Sequence, residues 1–271
     1  MSAHDLRIRS ANAGDHPAFA RLLPELGVDD PVPYVDRFAR DMAPSTLIAE
    51  RDGSVVGYVY FQLLDGVAYV RGLVSAPTAR RTGVGRALLL AAIERARAAG
   101  VQSWCLNVKP ENVAAITLYE SLGLRRAFAS KALRIAWSIV EAKAAELPEG
   151  VHARLVDAGE EARIEQEAGL IPGQLVRARA LDGRVLLVVE RDGAVAGAGV
   201  FDPGFPGVYP FRVSRPELGL PLLAAARPHA RPSGAIVNFV VEGQPEIAEA
   251  MLAAGAELRL DIVHMKGALP S

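Results

Sequence analysis

The sequence predicts an α/β (α+β) chain of two tandem domains, each a mixed, mostly antiparallel central sheet flanked by helices. Three observations lead there. The first is length: 271 residues fit two domains of ordinary size. The second is an internal repeat. LIAERDGSVVGYVYF at 47–61 returns as LVVERDGAVAGAGVF at 187–201, an offset of 140, with the second glycine four residues after the first in each (Gly53/Gly57, Gly193/Gly197). The third is order. RIRSANAGD (7–15) resembles HARLVDAGE (152–160), Val74-Ser75-Ala76-Pro77 resembles Val213-Ser214-Arg215-Pro216, and SLGLRR (121–126) resembles AAGAELR (253–259). Four matches in one order predict a duplicated unit of about 130 residues.

The elements of the first copy follow from local signals. Asp15–Leu26 and Pro31–Met42 read as helices. Thr46–Arg51, Ser54–Leu64 and Val67–Ser75 read as an antiparallel meander turning at Asp52-Gly53 and Asp65-Gly66. Val84–Ala99 reads as a helix stopped by Gly100, Val101–Val108 as a strand, and Glu111–Leu122 as a helix stopped by Gly123. The strand–helix–strand order makes the strands around the first of these helices parallel. Leu124–Phe128 and Lys131–Trp137 read as two further strands. Ser138–Gly150 is Ala/Glu-rich and closes with Pro148 and Gly150, which marks a linker with a helical turn or two. The expected division is therefore 1–140, a linker at 141–150, and 151–271.

Composition narrows the function. Apolar residues make up 51% and charged residues 23%, which excludes a disordered chain. A net charge of -1 leaves no polybasic surface, so nucleic acid and anionic membrane are not the expected partners. No apolar run approaches the ~20 residues of a membrane span, and MSAHDLRIRS lacks the apolar stretch of a signal peptide. Cys105 is the single cysteine, so neither an internal disulfide nor a thiolate-rich zinc site is expected, and the five histidines show no ligand spacing. A cytoplasmic setting is the expectation.

Two segments carry chemistry. Arg80-Arg81-Thr82-Gly83-Val84-Gly85-Arg86 lies between a strand and a long helix. Free N–H groups at a helix start, the helix dipole and three guanidinium groups make an anion site there, and glycines let a diphosphate approach the backbone. The alternative is a glycine-containing helix start with solvated arginines. A dinucleotide fingerprint is excluded because Leu88 stands where its third glycine would be, and the P-loop pattern is absent. The second segment is Asn112, Ala115, Tyr119 and Gly123. Tyr119 follows Asn112 by two helical turns, so both can face one side. Asn112 can bond an amide-bearing chain, and the Tyr119 phenol can donate a proton. The alternative is a helix-start Asn and a half-buried packing Tyr. Cys105 reads as a packed small hydrophobe rather than a nucleophile.

Together these segments resemble the GNAT superfamily of acetyl-CoA-dependent N-acyltransferases. Its P-x-x-[QR]-x-x-G-x-[GA] segment is matched by Pro77, Arg80, Gly83 and Gly85, and its N-x-x-A-x-x-x-Y helix by Asn112, Ala115 and Tyr119. The resemblance implies that Arg80, Arg81, Thr82, Gly83, Val84, Gly85 and Arg86 hold the CoA diphosphate. It implies that Leu73, Val74 and Ser75 pair with the pantetheine, that Asn112 holds the pantetheine arm, and that Tyr119 protonates the departing thiolate. The expected reaction is acetyl transfer to a primary amine of a small molecule; the rival expectation is an acyl-CoA-binding regulatory or scaffold protein without turnover. A homodimer is compatible with either.

One departure stands out. Many members carry a glutamate in the strand before the loop as general base. Here that strand reads Tyr69-Val70-Arg71-Gly72-Leu73-Val74, without an acid. Glu25, Asp29, Asp30 and Asp36 lie in the helical region that shapes the acceptor site in this family. Each also reads as a solvated surface charge.

The second copy is expected to be degenerate. The Val-Ser-x-Pro matches sit at offset 139, and the following apolar helix aligns at 134 (Ala87–Ala92 with Pro221–Ala226). Five residues are missing between them, and they are the diphosphate loop. Aligning Gly123 with Gly255 sets Met251 opposite Tyr119. The expected role of this copy is to pack on the first and wall the acceptor site.

Overall fold

A computed structural model describes residues 6–28, 31–144 and 148–270. These fall into two compact units. The first lies within Met1–Asn107, Val113–Arg125 and Met265–Ser271, the second within Val108–Asn112 and Arg126–His264. Compactness thus divides the chain elsewhere than the repeat does, which places its break at 141–150.

The first unit contains β1 (Arg7–Ser10), α1 (His16–Leu22), α2 (Val35–Arg37), β2 (Thr46–Arg51), β3 (Ser54–Leu64), β4 (Val67–Ser75), α3 (Val84–Ala98), β5 (Ser103–Val108) and α4 (Val113–Ser121). Its strands lie in the order β1-β2-β3-β4-β5. The first three pairings are antiparallel and β4-β5 is parallel, as the crossover through α3 requires. Helix α3 buries Val84, Leu88, Leu89, Ala92, Ile93 and Ala96, one stripe at helical spacing. Burying each larger aliphatic of that stripe contributes about 1.5–3 kcal/mol. Gly100, at φ 76°, ends the helix in the left-handed region.

Two expectations need correction. The helix over 31–42 shrinks to α2 and a single π turn at Phe38–Met42, because Pro31 and Pro33 hold the chain extended ahead of it. Asp29 and Asp30 lie outside the described residues. The two strands at 124–128 and 131–137 are one continuous strand, Arg125–Ala136.

That strand is β6, and the second unit builds on it. It continues with α5 (Trp137–Lys143), β7 (Val151–Leu155), α6 (Glu161–Ala168), α7 (Gln174–Arg179), β8 (Val185–Arg191), β9 (Ala194–Asp202), β10 (Gly207–Val213), α8 (Gly219–Ala226), β11 (Ile236–Glu242), α9 (Pro245–Ala253) and β12 (Glu257–Ala268), of which Met265–Ala268 count with the first unit. Helix α5 occupies the start of the expected linker. Strand β6 pairs antiparallel with β11 from Ser130↔Glu242 to Ala136↔Ile236, which is why it joins this unit. The order onward is β11-β10-β9-β8-β7. Alternation along β8 separates two cores. Leu187 and Val189 pack with Trp137, Phe211, Leu222 and Phe239, while Leu186 and Val188 pack with Ile164, Leu175 and Val200.

The duplication is visible at the level of single hydrogen-bonded pairs. In β2-β3 the register runs Ala49↔Gly57, then shifts to Glu50↔Val55 and Arg51↔Ser54; in β8-β9 it runs Val189↔Gly197, Glu190↔Val195 and Arg191↔Ala194. Both copies therefore carry the same bulge at offset 140. The repeated second glycine has a packing cause. A Cβ on Gly57 would lie 2.6 Å from the Val74 carbonyl oxygen, and one on Gly197 would lie 2.7 Å from that of Arg212. An ion-pair bracket is duplicated as well. Arg9 holds Asp15 at 2.6 Å and Glu50 at 2.7 Å; Arg154 holds Glu160 and Glu190, each at 2.7 Å.

Candidate active site

Strand β4 carries a one-residue bulge at Arg71, between Val70↔Phe61 and Gly72↔Tyr60. Its pairing with β5 runs from Val67↔Ser103 to Val70↔Leu106. Beyond the bulge, at Leu73, Val74 and Ser75, no strand pairs with β4 on its β5 side among the described residues. The parallel strands diverge there, and the β4 edge is available to an extended guest.

The arginine–glycine loop follows directly. After the 3-10 turn Pro77–Ala79, residues Arg80–Gly83 lead into α3. Arg81 at φ 59° and Gly83 at φ 86° both sit in the left-handed region, which folds the chain sharply at the helix start. The first intrahelical bond is Ala87 N–H to Gly83 O, 3.0 Å. The N–H groups of Val84, Gly85 and Arg86 lie ahead of that ladder, at the positive end of the helix dipole. Gly85 is not demanded by internal packing: a Cβ there would meet Leu118, Ser75 Oγ and Leu73 at 3.5, 3.7 and 3.8 Å, ordinary contacts. Those same contacts show that the loop, the end of β4 and α4 converge. Thr82 Oγ1 donates to Ala79 O at 2.8 Å and accepts from Arg51 at 3.1 Å. Arg86 donates to Ser121 Oγ at 3.1 Å. Arg80 forms an ion pair with Glu25. Arg81 is exposed.

Tyr119 lies in the last turn of α4 and is 7% exposed. Burial pushes its phenol up to about 12, so it keeps its proton across the physiological range. Asn112 is exposed, stands one residue ahead of α4, and donates its N–H to Lys109 O at 3.0 Å; Val108–Asn112 groups with the second unit. Cys105 is buried within β5. Among the carboxylates named from sequence, Glu25 is the one that the structure brings to the loop, while Asp36 is exposed. Neither the Arg80–Glu25 pair nor the Arg86–Ser121 bond has a signal in sequence spacing. The divergence of β4 has one, since Gly72 in an apolar strand is a bulge signal.

In the second unit the corresponding ground is built differently. The strand registers align Val70 with Val208, Leu73 with Phe211 and Ser75 with Val213, an offset of 138 rather than the 139 read from the Val-Ser-x-Pro matches. Pairing of β10 with β11 continues past the bulge to Phe211↔Val241. The 3-10 turn Pro216–Leu218 runs straight into α8 without the four residues, Arg80–Gly83, that precede α3; the sequence alignment gives five. Gly219 opens α8, and a Cβ on it would lie 2.6 Å from Met251 Sδ.

Residues 16–124 match the model of the acetyltransferase (GNAT) family. Among curated relatives, a mycothiol acetyltransferase of Thermobispora bispora is 39% identical over 88 residues, 29% of this chain and 29% of that protein. An L-2,4-diaminobutyric acid acetyltransferase of Nocardia farcinica is 30% identical over 92 residues, 33% of this chain and 48% of that protein. The chain thus spans less than half the length of these relatives. A tandem GNAT protein from the clavulanic acid biosynthesis pathway shares the fold over 98% of this chain and all of its own, at a TM-score of 0.64 and 22% identity. Among the described residues, no helix is long and apolar enough to cross a membrane.

Proposed function

We propose that the first unit is an N-acetyltransferase that moves the acetyl group of acetyl-CoA to a primary amine of a small molecule. The observation that carries this reading is the divergence of β4 from β5 beside a glycine–arginine helix start. Acetyl-CoA supplies an activated thioester. The N–H groups of Val84, Gly85 and Arg86, with the guanidinium groups of Arg80, Arg81 and Arg86, suit a diphosphate. The free edge at Leu73, Val74 and Ser75 suits the amide-bearing pantetheine as an added strand. An amine then attacks the carbonyl directly, with a β4 backbone N–H donating to the carbonyl oxygen as charge develops.

Tyr119 is the proton donor in this reading. Its raised value guarantees the protonated form but makes full transfer to a thiolate, ordinarily ~8.5, uphill by roughly 3–4 pH units. Its contribution is thus a hydrogen bond that tightens as sulfur gains charge, at the low end of general-acid catalysis. Glu25 is the candidate base. When a diphosphate takes Arg80, the Glu25 carboxylate is released from its ion pair and is able to accept a proton from the incoming ammonium.

The second unit is read as a copy that keeps the fold without the cofactor, because it lacks a counterpart of the Arg80–Gly83 segment and β10 stays paired with β11 as far as Phe211↔Val241. The acceptor classes to test follow the relatives: one is named for L-2,4-diaminobutyric acid, another, of Escherichia coli, for the alanine of a ribosomal protein. The test is thiol release from acetyl-CoA with L-2,4-diaminobutyrate, other small primary amines and an alanine-first peptide. Amine-dependent release supports the reading. Tight CoA binding with no release for any amine favours a binding protein without turnover.

A further inference from the structure

The two faces of the first unit's sheet carry different chemistry. Gly57, Phe61, Ala68 and Val70 face α3: a Cβ on Gly57 would meet Val84 and Leu88, and the other three border Ala92 and Ile93. The β3-β4 register then turns Tyr58, Tyr60, Gln62 and Tyr69 to the opposite face. Tyr58 packs there on Phe19 of α1, with ring centroids 4.6 Å apart. Past Tyr58 that face is polar. Gln62 Nε2 donates to the Tyr60 hydroxyl at 2.9 Å, and Asn107 Nδ2 donates to the Tyr69 hydroxyl at 2.9 Å.

Arg71 is the cation of this face. It is the extra residue of the β4 bulge, it is exposed, and its guanidinium carbon lies 4.8 Å from the centroid of the Tyr69 ring. Stacking engages the flat face of a guanidinium, while its hydrogen bonds are made by N–H groups in the plane. None of β3, β4 and β5 contributes a carboxylate.

The bulge sets Arg71 beside the reacting end of the site, two residues before the free edge begins at Leu73. On the α3 side that edge is covered, since a Cβ on Gly85 would meet both Leu73 and Leu118. An amine attacking an acyl group held at this edge therefore comes from the Tyr69–Arg71 face. Gly72 opens on the same face, where a Cβ would lie 3.6 Å from Leu26, the neighbour of Glu25 in the chain.

We propose that Arg71 selects the acceptor: a primary amine that also bears a carboxylate, the carboxylate held by a two-point bond to the guanidinium and the nitrogen directed at the acyl carbon. This rests on the acetyltransferase reading of the same site and narrows its acceptors to small amino acids. Glu25 supplies the opposite charge for the ammonium end.

The test is steady-state thiol release from acetyl-CoA with matched acceptors: 4-aminobutyrate against 4-aminobutanamide, and L-2,4-diaminobutyrate against its carboxamide. The acids should show kcat/KM about tenfold higher or more, carried by KM. Arg71→Met should raise KM for the acids and bring the acid-to-amide ratio close to one. Arg71→Lys, which keeps the charge without the fork, should give an intermediate ratio. Comparing ratios between variants cancels the intrinsic basicity of each amine. Equal kcat/KM for acid and amide in the unaltered chain would overturn the proposal and leave the acetyltransferase reading in place. So would an unaltered ratio in a folded Arg71→Met chain, or in Arg71→Lys where Arg71→Met does not fold, and so would release with an alanine-first peptide but with neither acid. No release with any amine would overturn the acetyltransferase reading itself, and the proposal with it.

Discussion

Tyr119 and Met251 occupy the same place in two copies of one helix stop. The Leu124 N–H reaches the Tyr119 carbonyl at 3.1 Å, and the Ala256 N–H reaches the Met251 carbonyl at 2.9 Å. Gly123 at φ 92° and Gly255 at φ 104° turn the chain out of each helix. The backbone is shared; the side chains are not. One copy presents a phenol and the other a thioether whose sulfur crowds Gly219.

Tyr119→Phe keeps the ring and its packing and removes only the hydroxyl. Under conditions where chemistry limits the rate, kcat should fall by up to about a hundredfold, ~2.7 kcal/mol of barrier, with CoA affinity nearly unchanged. Full retention of kcat would assign the proton to water. Met251→Tyr should not create a second active site, and steady-state kinetics of the Tyr119→Phe/Met251→Tyr double variant should match those of Tyr119→Phe.

The pH profile offers an independent check. An ordinary phenol is half ionised near pH 10. Tyr119, pushed up to about 12 by burial, keeps the donating form well above that. The chemical step should show no loss from phenol ionisation as pH rises through about 10. An alkaline limb near pH 10 that disappears in Tyr119→Phe would contradict this assignment.

Gly85→Val should leave the fold intact and weaken CoA binding by about 10–100-fold, the loss of one or two charge-assisted bonds at the helix start. The backbone at Gly85 accepts a Cβ without conflict, so the melting temperature should hold. Unchanged CoA affinity in the folded variant would remove the diphosphate from this loop.

The duplicated bracket predicts unequal stability effects. Hydrogen bonds from Arg9 hold the Asp15 carboxyl below its ordinary value. That stabilisation is present above the ordinary carboxylate range and is lost as pH falls through the lowered value. Arg9→Met should cost about 1–2 kcal/mol at neutral pH and move acid unfolding to higher pH. Arg154→Met should cost less, because Glu160 is more exposed than Asp15 (24% against 7%). A larger loss in Arg154→Met, measured by urea denaturation, would contradict the ranking.

Much of the first unit was legible because its signals are local. The Asp52-Gly53 and Asp65-Gly66 turns set the meander, and its three strand ranges agree with the sequence reading residue for residue. What escaped depends on contacts distant in sequence. Nothing in Leu124–Trp137 announces that β6 runs unbroken, and the pairing that holds its Ser130–Ala136 part comes from β11, over 100 residues on. The opening of β4 depends on a bulge whose sequence trace is a single glycine. The Arg80–Glu25 pair joins residues 55 apart, and the Asn107–Tyr69 bond joins residues 38 apart.

The proposed activity requires one cofactor site per chain, built from the β4 edge and the Arg80–Arg86 loop. Calorimetric titration of the full chain with CoA measures this directly. A stoichiometry of one, with affinity collapsing in Gly85→Val, is the predicted result. A stoichiometry near two, or one site indifferent to Gly85→Val, would contradict it.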